Sequence, residues 1–226
     1  LAFLANPRPA RIGQKALIRA VENGNSLAEK FVRRTAYPLF CGGETLDQAL
    51  KTAQRLSRSG QGAIIDYAVE GAHDEMSFDA ACAETIRAID VASRNRREIP
   101  FVALKVTGLT EYETLAISSK APMGLLPEPL AIVRAKWAAV SNRLERIASE
   151  AEKKGVFVFI DAEEVEIQRA IDDLALGLMR RHNKVLPIIQ TAVQEYRIDR
   201  LQFLTELIGT AKEEDFYVGL KIVRGA

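Results

Sequence analysis

The residue pattern predicts an α/β fold, a parallel sheet covered by helices. It reads as a (β/α)8 TIM-like barrel, incomplete in this chain, behind an N-terminal helical segment. Three observations carry this. Five short, nearly continuous apolar runs alternate with helical stretches, the signature of strands buried on both faces. Each run delivers a polar residue at or just past its C-terminal end, the rim on which barrel active sites are built. The other architecture with this alternation is a doubly wound sheet. The first strand-to-helix turn, Asp66-Tyr67-Ala68-Val69-Glu70-Gly71, weighs against a dinucleotide-binding version, because it lacks the G-x-G-x-x-G fingerprint.

Residues 1–60 read as helical, and residues 61–226 as the first five β/α units of a barrel. Leu17, Val21, Leu27, Phe31 and Val32 form a rough apolar stripe broken at Gly24-Asn25-Ser26. Ser26 and Glu29 have capping-box spacing. After the Cys41-Gly42-Gly43 turn, Thr45 is placed to cap a helix carrying Leu46, Ala49, Leu50, Ala53 and Leu56. The strands are then expected at Gly62–Tyr67, Phe101–Val106, Gly155–Ile160, Val185–Gln190 and Phe216–Val223. Helices are expected near Glu75–Arg94, Pro129–Lys154, Glu163–Arg181 and Glu195–Thr210, with an insert bearing Pro122, Pro127 and Pro129 before the second of these.

Composition narrows the function classes. A net charge of +1 gives no bulk attraction for nucleic acid or an acidic membrane surface. Arg94, Arg96 and Arg97 close a helical segment, where cations suit the dipole. Cys41 and Cys82 have no metal spacing, and reduced thiols in an intracellular setting are the default. His73 and His182 lie far apart, and His182, among Arg180, Arg181, Asn183 and Lys184, reads as a solvated helix end. No metal site is expected. No run of about twenty apolar residues exists to cross a membrane.

The chemistry gathers at the strand ends: Asp66 with Glu70, Lys105 with Thr107, Asp161, Gln190 and Arg224. Each also has a structural reading. Asp161 is placed to cap the following helix, with Glu163 and Glu164 as its first-turn acids. Asp66 and Lys105, on adjacent strands, are placed to form an ion pair. Gln190 can satisfy backbone at a strand end. Lys105 lies within an apolar run, where a lysine needs a partner or a ligand. Arg224 stands beside Gly225 and Ala226, which clear space for a flat ligand against the backbone.

In these residues the chain resembles the catalytic domain of the proline dehydrogenase family. The matching segments are Arg34–Phe40 with Gly43 and Glu44, Ile65–Glu70, Val102–Leu109, Phe159–Glu164 and Gly219–Ala226. The resemblance implies a distorted (β/α)8 barrel with FAD at the strand C-termini. It implies oxidation of L-proline to Δ1-pyrroline-5-carboxylate, with electrons passed to a quinone acceptor. The implied setting is a bacterial cytoplasm or inner-membrane association, or a mitochondrion in a eukaryote. By the same resemblance, Lys105 binds the substrate carboxylate and Asp161 lies by flavin and substrate. Gln190 and Arg224 hydrogen-bond the flavin, with Gly225 and Ala226 beside it. Lys105, Asp161 and Arg224 are the expected catalytic set. Two departures stand out. The family's second glutamine after the fourth strand is out of place: it is either Gln194, after a one-residue insertion, or missing. The family's further strands, and the arginine pair that clamps the carboxylate, lie beyond Ala226, so these residues alone are expected not to turn over proline.

Two other functions compete. One is a barrel lyase or aldolase using Lys105 as a Schiff-base amine, which needs a lysine in an apolar wall. The other is a non-catalytic partial barrel acting as an assembly partner.

Overall fold

The computed structural model describes residues 15, 17–67, 74–120 and 131–224. The chain divides into two compact units, Leu1–Thr52 and Ala53–Ala226. Glu70, His73, the three prolines of the insert, Gly225 and Ala226 lie outside the described residues.

In the first unit, helix α1 (Ser26–Thr35) is followed by the single turn α2 (Tyr37–Phe40). The cap of α1 is Asn25, not Ser26. The Asn25 carboxamide oxygen accepts from the amides of Leu27 and Ala28 at 3.0 and 3.1 Å. Gly24, at φ +72, turns the preceding helix so that Asn25 takes the extended cap conformation. Thr45 behaves as expected: its hydroxyl accepts from the Gln48 amide at 3.3 Å, one residue before α3 (Leu46–Ser57).

The second unit is a sheet of five parallel strands in the sequential order β1 (Ile64–Asp66), β2 (Phe101–Leu104), β3 (Phe157–Ile160), β4 (Ile189–Gln194), β5 (Gly219–Val223). Every neighbouring pair is parallel, and the order never reverses. A doubly wound sheet has a switch point where the order reverses; a run of successive neighbours is an arc of a barrel.

Helices α4 (Glu75–Arg94), α5 (Tyr112–Lys120), α6 (Ala131–Lys154), α7 (Val165–His182) and α8 (Arg200–Glu213) connect the strands. The start of α4 is set by a capping box. Asp74 accepts from the Ser77 amide at 2.7 Å, and the Ser77 hydroxyl accepts from the Asp74 amide at 3.2 Å. Helix α5 has no counterpart in the expected order of elements.

Register divides the side chains between two faces. Val102, Leu104, Val158, Ile160, Ile189 and Val193 are buried and alternate with the other row, as the two-residue strand period requires. The other row carries Phe101, Phe157 and Phe159, then Gln190 and Gly219. Phe101 stacks on Phe159 at 4.9 Å between centroids and tilts against Phe157 at 5.7 Å.

All five strands differ at one end or both from the expected bounds, and two of the differences bear on the site. Strand β2 stops at Leu104 and tightens into a 3-10 turn over Val106–Gly108, so Lys105 sits on the rim and not in the wall. Strand β4 starts four residues later than expected, at Ile189. Pro187 has no amide to give a ladder, so the run from Val185 cannot pair. Val185 and Leu186 are exposed accordingly. Asn183, fully buried, makes the start instead. Its side chain accepts from the Ile189 amide at 2.9 Å and donates to the Ile189 and Tyr217 carbonyls, both at 2.8 Å. One side chain thereby aligns the first residues of β4 and the approach to β5.

His182 also departs from expectation. It is buried in the last turn of α7, with its ring nitrogens 2.7 Å from Glu152 and 2.8 Å from Glu145 on α6. The packing of α7 on α6 brings carboxylates over what the local sequence presents as a solvated end. Cys41 and Cys82 are free thiols; Cys82 is buried and donates to the Arg143 carbonyl. Among the described residues there is no metal-ligating cluster and no helix long and apolar enough to cross a membrane.

Candidate active site

The strand C-termini surround a cavity of about 710 Å³. Lys105, Asp161, Glu163, Gln194, Tyr196 and Lys221 are among the residues that line it. Lys105 follows β2, Asp161 follows β3, Gln194 is the last residue of β4, and Lys221 is the third residue of β5. Four successive strands therefore contribute to one mouth, as parallel strands with aligned C-terminal ends must.

Two ion pairs set its electrostatics. Lys105 Nζ lies 3.9 Å from Asp66 Oδ2, across β1 and β2. Lys221 donates to Asp161 Oδ1, and its ammonium lies 5.4 Å from the centroid of the Phe159 ring. The second pair spans a strand. The register places Ala192 beside Lys221, and continuing the β3–β4 register places it beside Asp161. The alanine is short enough for the two flanking side chains to meet above it. Burial raises the Asp66 carboxyl above its ordinary value; Lys105 draws it down and Asp161 pushes it up further. Along the strand ends acid and cation alternate, Asp66, Lys105, Asp161 and Lys221, while Glu163, Glu164 and Glu166 give the cavity lining an excess of carboxylates.

Glu163 is the site residue that the sequence reading places elsewhere. It is expected in the first turn of the next helix, but α7 begins at Val165, and the carboxylate turns back across the sheet. It accepts from the Thr107 amide at 3.1 Å and from the Thr107 hydroxyl. Burial raises this carboxyl above the ordinary range, against the pull of those donors. Thr107, expected at the rim, is thereby the donor that anchors Glu163. Asp161, expected either as a cap or as a site group, caps nothing and pairs with Lys221.

The two glutamines exchange places. Gln194 stands at the tip of β4, while Gln190, expected there, lies lower, between Phe159 and Gly219 in the register. The Gln190 side chain rests on the bare Cα of Gly219, and its amide has no hydrogen-bond partner among the described residues. Arg224 follows β5 directly, is exposed, and is not part of the cavity lining. Lys221 was not singled out from the sequence. The signal was present: a lysine inside the apolar run Val218–Val223 is the same anomaly that marks Lys105. Lys105 itself is 48% exposed. The apolar wall that a Schiff-base lysine needs does not surround it.

The comparisons agree with this geometry. The proline dehydrogenase family model matches residues 49–226. A carbapenem antibiotics biosynthesis protein of Pectobacterium carotovorum is 38% identical over 191 residues, covering 83% of this chain and 48% of that protein. The mitochondrial proline dehydrogenase 1 of Dictyostelium discoideum is 26% identical over 230 residues, covering 87% of this chain and 40% of that one. The chain thus spans under half the length of both relatives. Among solved structures, proline utilization A of Bdellovibrio bacteriovorus superposes with a TM-score of 0.71 at 16% identity, over 88% of this chain and 21% of that one. A Bradyrhizobium japonicum proline utilization A structure gives 0.62 at 19%, over 81% and 18%. These likenesses establish the TIM-barrel-like fold. With the family match over most of its length and a shared mouth at the strand ends, the chain belongs to the proline dehydrogenase family.

Proposed function

We propose that this chain supplies the N-terminal helical segment, residues 1–60, and the first five β/α units, residues 61–226, of an FAD-dependent L-proline dehydrogenase. The reaction is oxidation of L-proline to Δ1-pyrroline-5-carboxylate, with electrons passed on to a quinone. The observation that carries this is the pairing of Asp161 with Lys221 over Ala192, beside the Lys105–Asp66 pair, in one cavity.

The residues present fit a flavin. Lys221 offers a cationic donor in the cavity above the Phe159 ring, and Gln190, lower on the sheet and not itself a lining residue, carries a carboxamide without a partner among the described residues. A bound flavin would supply the hydride acceptor for the C5 hydrogen of proline. This chain's residues do the rest. Lys105 holds the substrate carboxylate, with Asp66 fixing the direction of its ammonium. Asp161 orients Lys221, so that its charge is set before substrate arrives and costs no reorganisation. Arg224, with Gly225 and Ala226, is proposed to reach the cofactor from the end of β5. In line with the family, the setting is a bacterial cytoplasm or inner-membrane surface, or a mitochondrion in a eukaryote.

The test is reduction of the flavin by substrate. Purified full-length protein is expected to carry visible flavin absorbance that L-proline bleaches under anaerobic conditions and a quinone restores. A full-length protein that binds no flavin, or binds one that L-proline leaves oxidised, overturns the assignment.

A further inference from the structure

We propose that Asp172 is a positioning residue for the cavity, holding Glu163 and Gln194 in place through a closed ring of hydrogen bonds. The proposal rests on the reading of that cavity as the proline-oxidising site.

The ring can be followed bond by bond. The Glu163 amide donates to Gln168 Oε1 at 2.8 Å, and Gln168 Nε2 donates to Asp172 Oδ1 at 2.8 Å. Arg200 bridges Asp172 Oδ2 at 2.6 Å and Asp199 Oδ2 at 2.5 Å. Arg197 grips both oxygens of Asp199, at 3.0 and 2.7 Å, and donates to Gln194 Oε1 at 3.1 Å. Gln194 Nε2 returns to the Glu163 carbonyl at 2.6 Å. The ring enters and leaves Glu163 through its backbone, leaving its carboxylate free for Thr107.

Burial gives this arrangement its meaning. Gln168 is 0% exposed, Asp172 6% and Arg200 9%. Apolar residues of the same size are often as stable as a buried ion pair, so stability alone does not explain one. Arg200 even keeps a buried Nε without a hydrogen bond among the described residues. What the ring secures is geometry. It joins the β3–α7 and β4–α8 loops, which form adjacent parts of the cavity wall. Both ends of the Gln194 carboxamide are taken up by the ring, so Gln194 serves as a fixed wall element and Gln190 keeps the available amide. Burial raises the Asp172 carboxyl, and the bonds from Gln168 and Arg200 only partly offset this, so the ion pair is not there for stability.

The experiment separates positioning from mere support. In the full-length protein, the double variant Asp172→Leu/Arg200→Met replaces the pair with apolar volume and is expected to stay folded, melting a few degrees below wild type because the buried Gln168 amide loses its partner. Its kcat/KM for L-proline is expected to fall on the order of ten- to hundredfold. Amide hydrogen exchange across residues 161–164 and 194–199 is expected to speed up. Asp199→Ala cuts the ring at an exposed residue, with little risk to folding, and is expected to speed exchange over 194–199 with a several-fold loss of kcat/KM. If the double variant folds with wild-type turnover, or if Asp199→Ala leaves exchange and turnover unchanged, the proposal is overturned. If the wild-type protein itself does not oxidise proline, the functional assignment fails, and the exchange measurements still decide whether the ring holds the two loops.

Discussion

Replacing Gly219 with alanine tests the placement of Gln190. A Cβ built at Gly219 lies 2.4 Å from Gln190 Cγ, 2.9 Å from Cδ and 3.1 Å from Cβ. Ordinary carbon contacts sit near 3.5–4.0 Å, so the glutamine side chain has to leave its rotamer. It has little room, because it is 9% exposed and lies between Phe159 and Gly219. Overpacking of this kind costs about 1–3 kcal/mol. At roughly 2–4 °C per kcal/mol for a chain of this size, Gly219→Ala is expected to lower the melting temperature by about 2–12 °C. The assay is thermal unfolding by circular dichroism, run as a cycle with Gln190→Ala. The double variant removes Cγ and Cδ and is expected to recover most of the loss, as a coupling of about 1 kcal/mol or more. If Gly219→Ala melts with the wild type, or if Gln190→Ala gives no relief, then Gln190 does not lie over Gly219, and its proposed service to the cofactor goes with it.

Three further outcomes follow from the same structure. Asn183→Ala removes the side chain that aligns β4 and leaves buried backbone groups of Ile189 unpaired; a loss of about 2–4 kcal/mol is expected by urea unfolding. Glu163→Gln should change the pH dependence of stability. The folded carboxyl lies above the ordinary glutamate value of 4.5, so its contribution is most favourable below that value and declines as pH rises toward the folded one. Relative to wild type, the variant should therefore gain stability as pH rises from 4.5, and parallel pH profiles for the two proteins would refute this. Lys221→Met leaves Asp161, 17% exposed, without its cation, and about 1–3 kcal/mol of stability should be lost; under the proposed function, the full-length variant should also lose more proline turnover than a control variant of equal stability.

Much of the fold was legible because strand alternation and helix caps are local. The helix expected near Glu75–Arg94 forms over those residues, and the Asp74–Ser77 capping box that starts it is itself a local feature. The convergence of Lys105 and Asp161 was readable because parallel strands deliver their ends to one rim. What escaped was non-local. The true start of β4 depends on Asn183 reaching Ile189 and Tyr217, and Pro187 was the only local warning. The acids that surround His182 come from a helix 30 and 37 residues earlier in the chain. Glu163 was assigned by its neighbours in sequence, whereas its carboxylate answers to Thr107, 56 residues earlier. The ring through Asp172 did leave a trace: Gln168 and Asp172, four apart, fall among Ile167, Ala170, Ile171 and Leu174, where a polar pair is out of place.

Ala192 carries a constraint larger than its own side chain. It is the gap through which Asp161 and Lys221 reach each other, two strands apart, so its tolerance to substitution is set by residues it does not bond. A longer side chain at 192 is admissible only with a shorter or uncharged residue at 161 or 221. Across relatives, the three positions should therefore change as one unit, and an engineer who wishes to re-aim the lysine has its lever in the alanine.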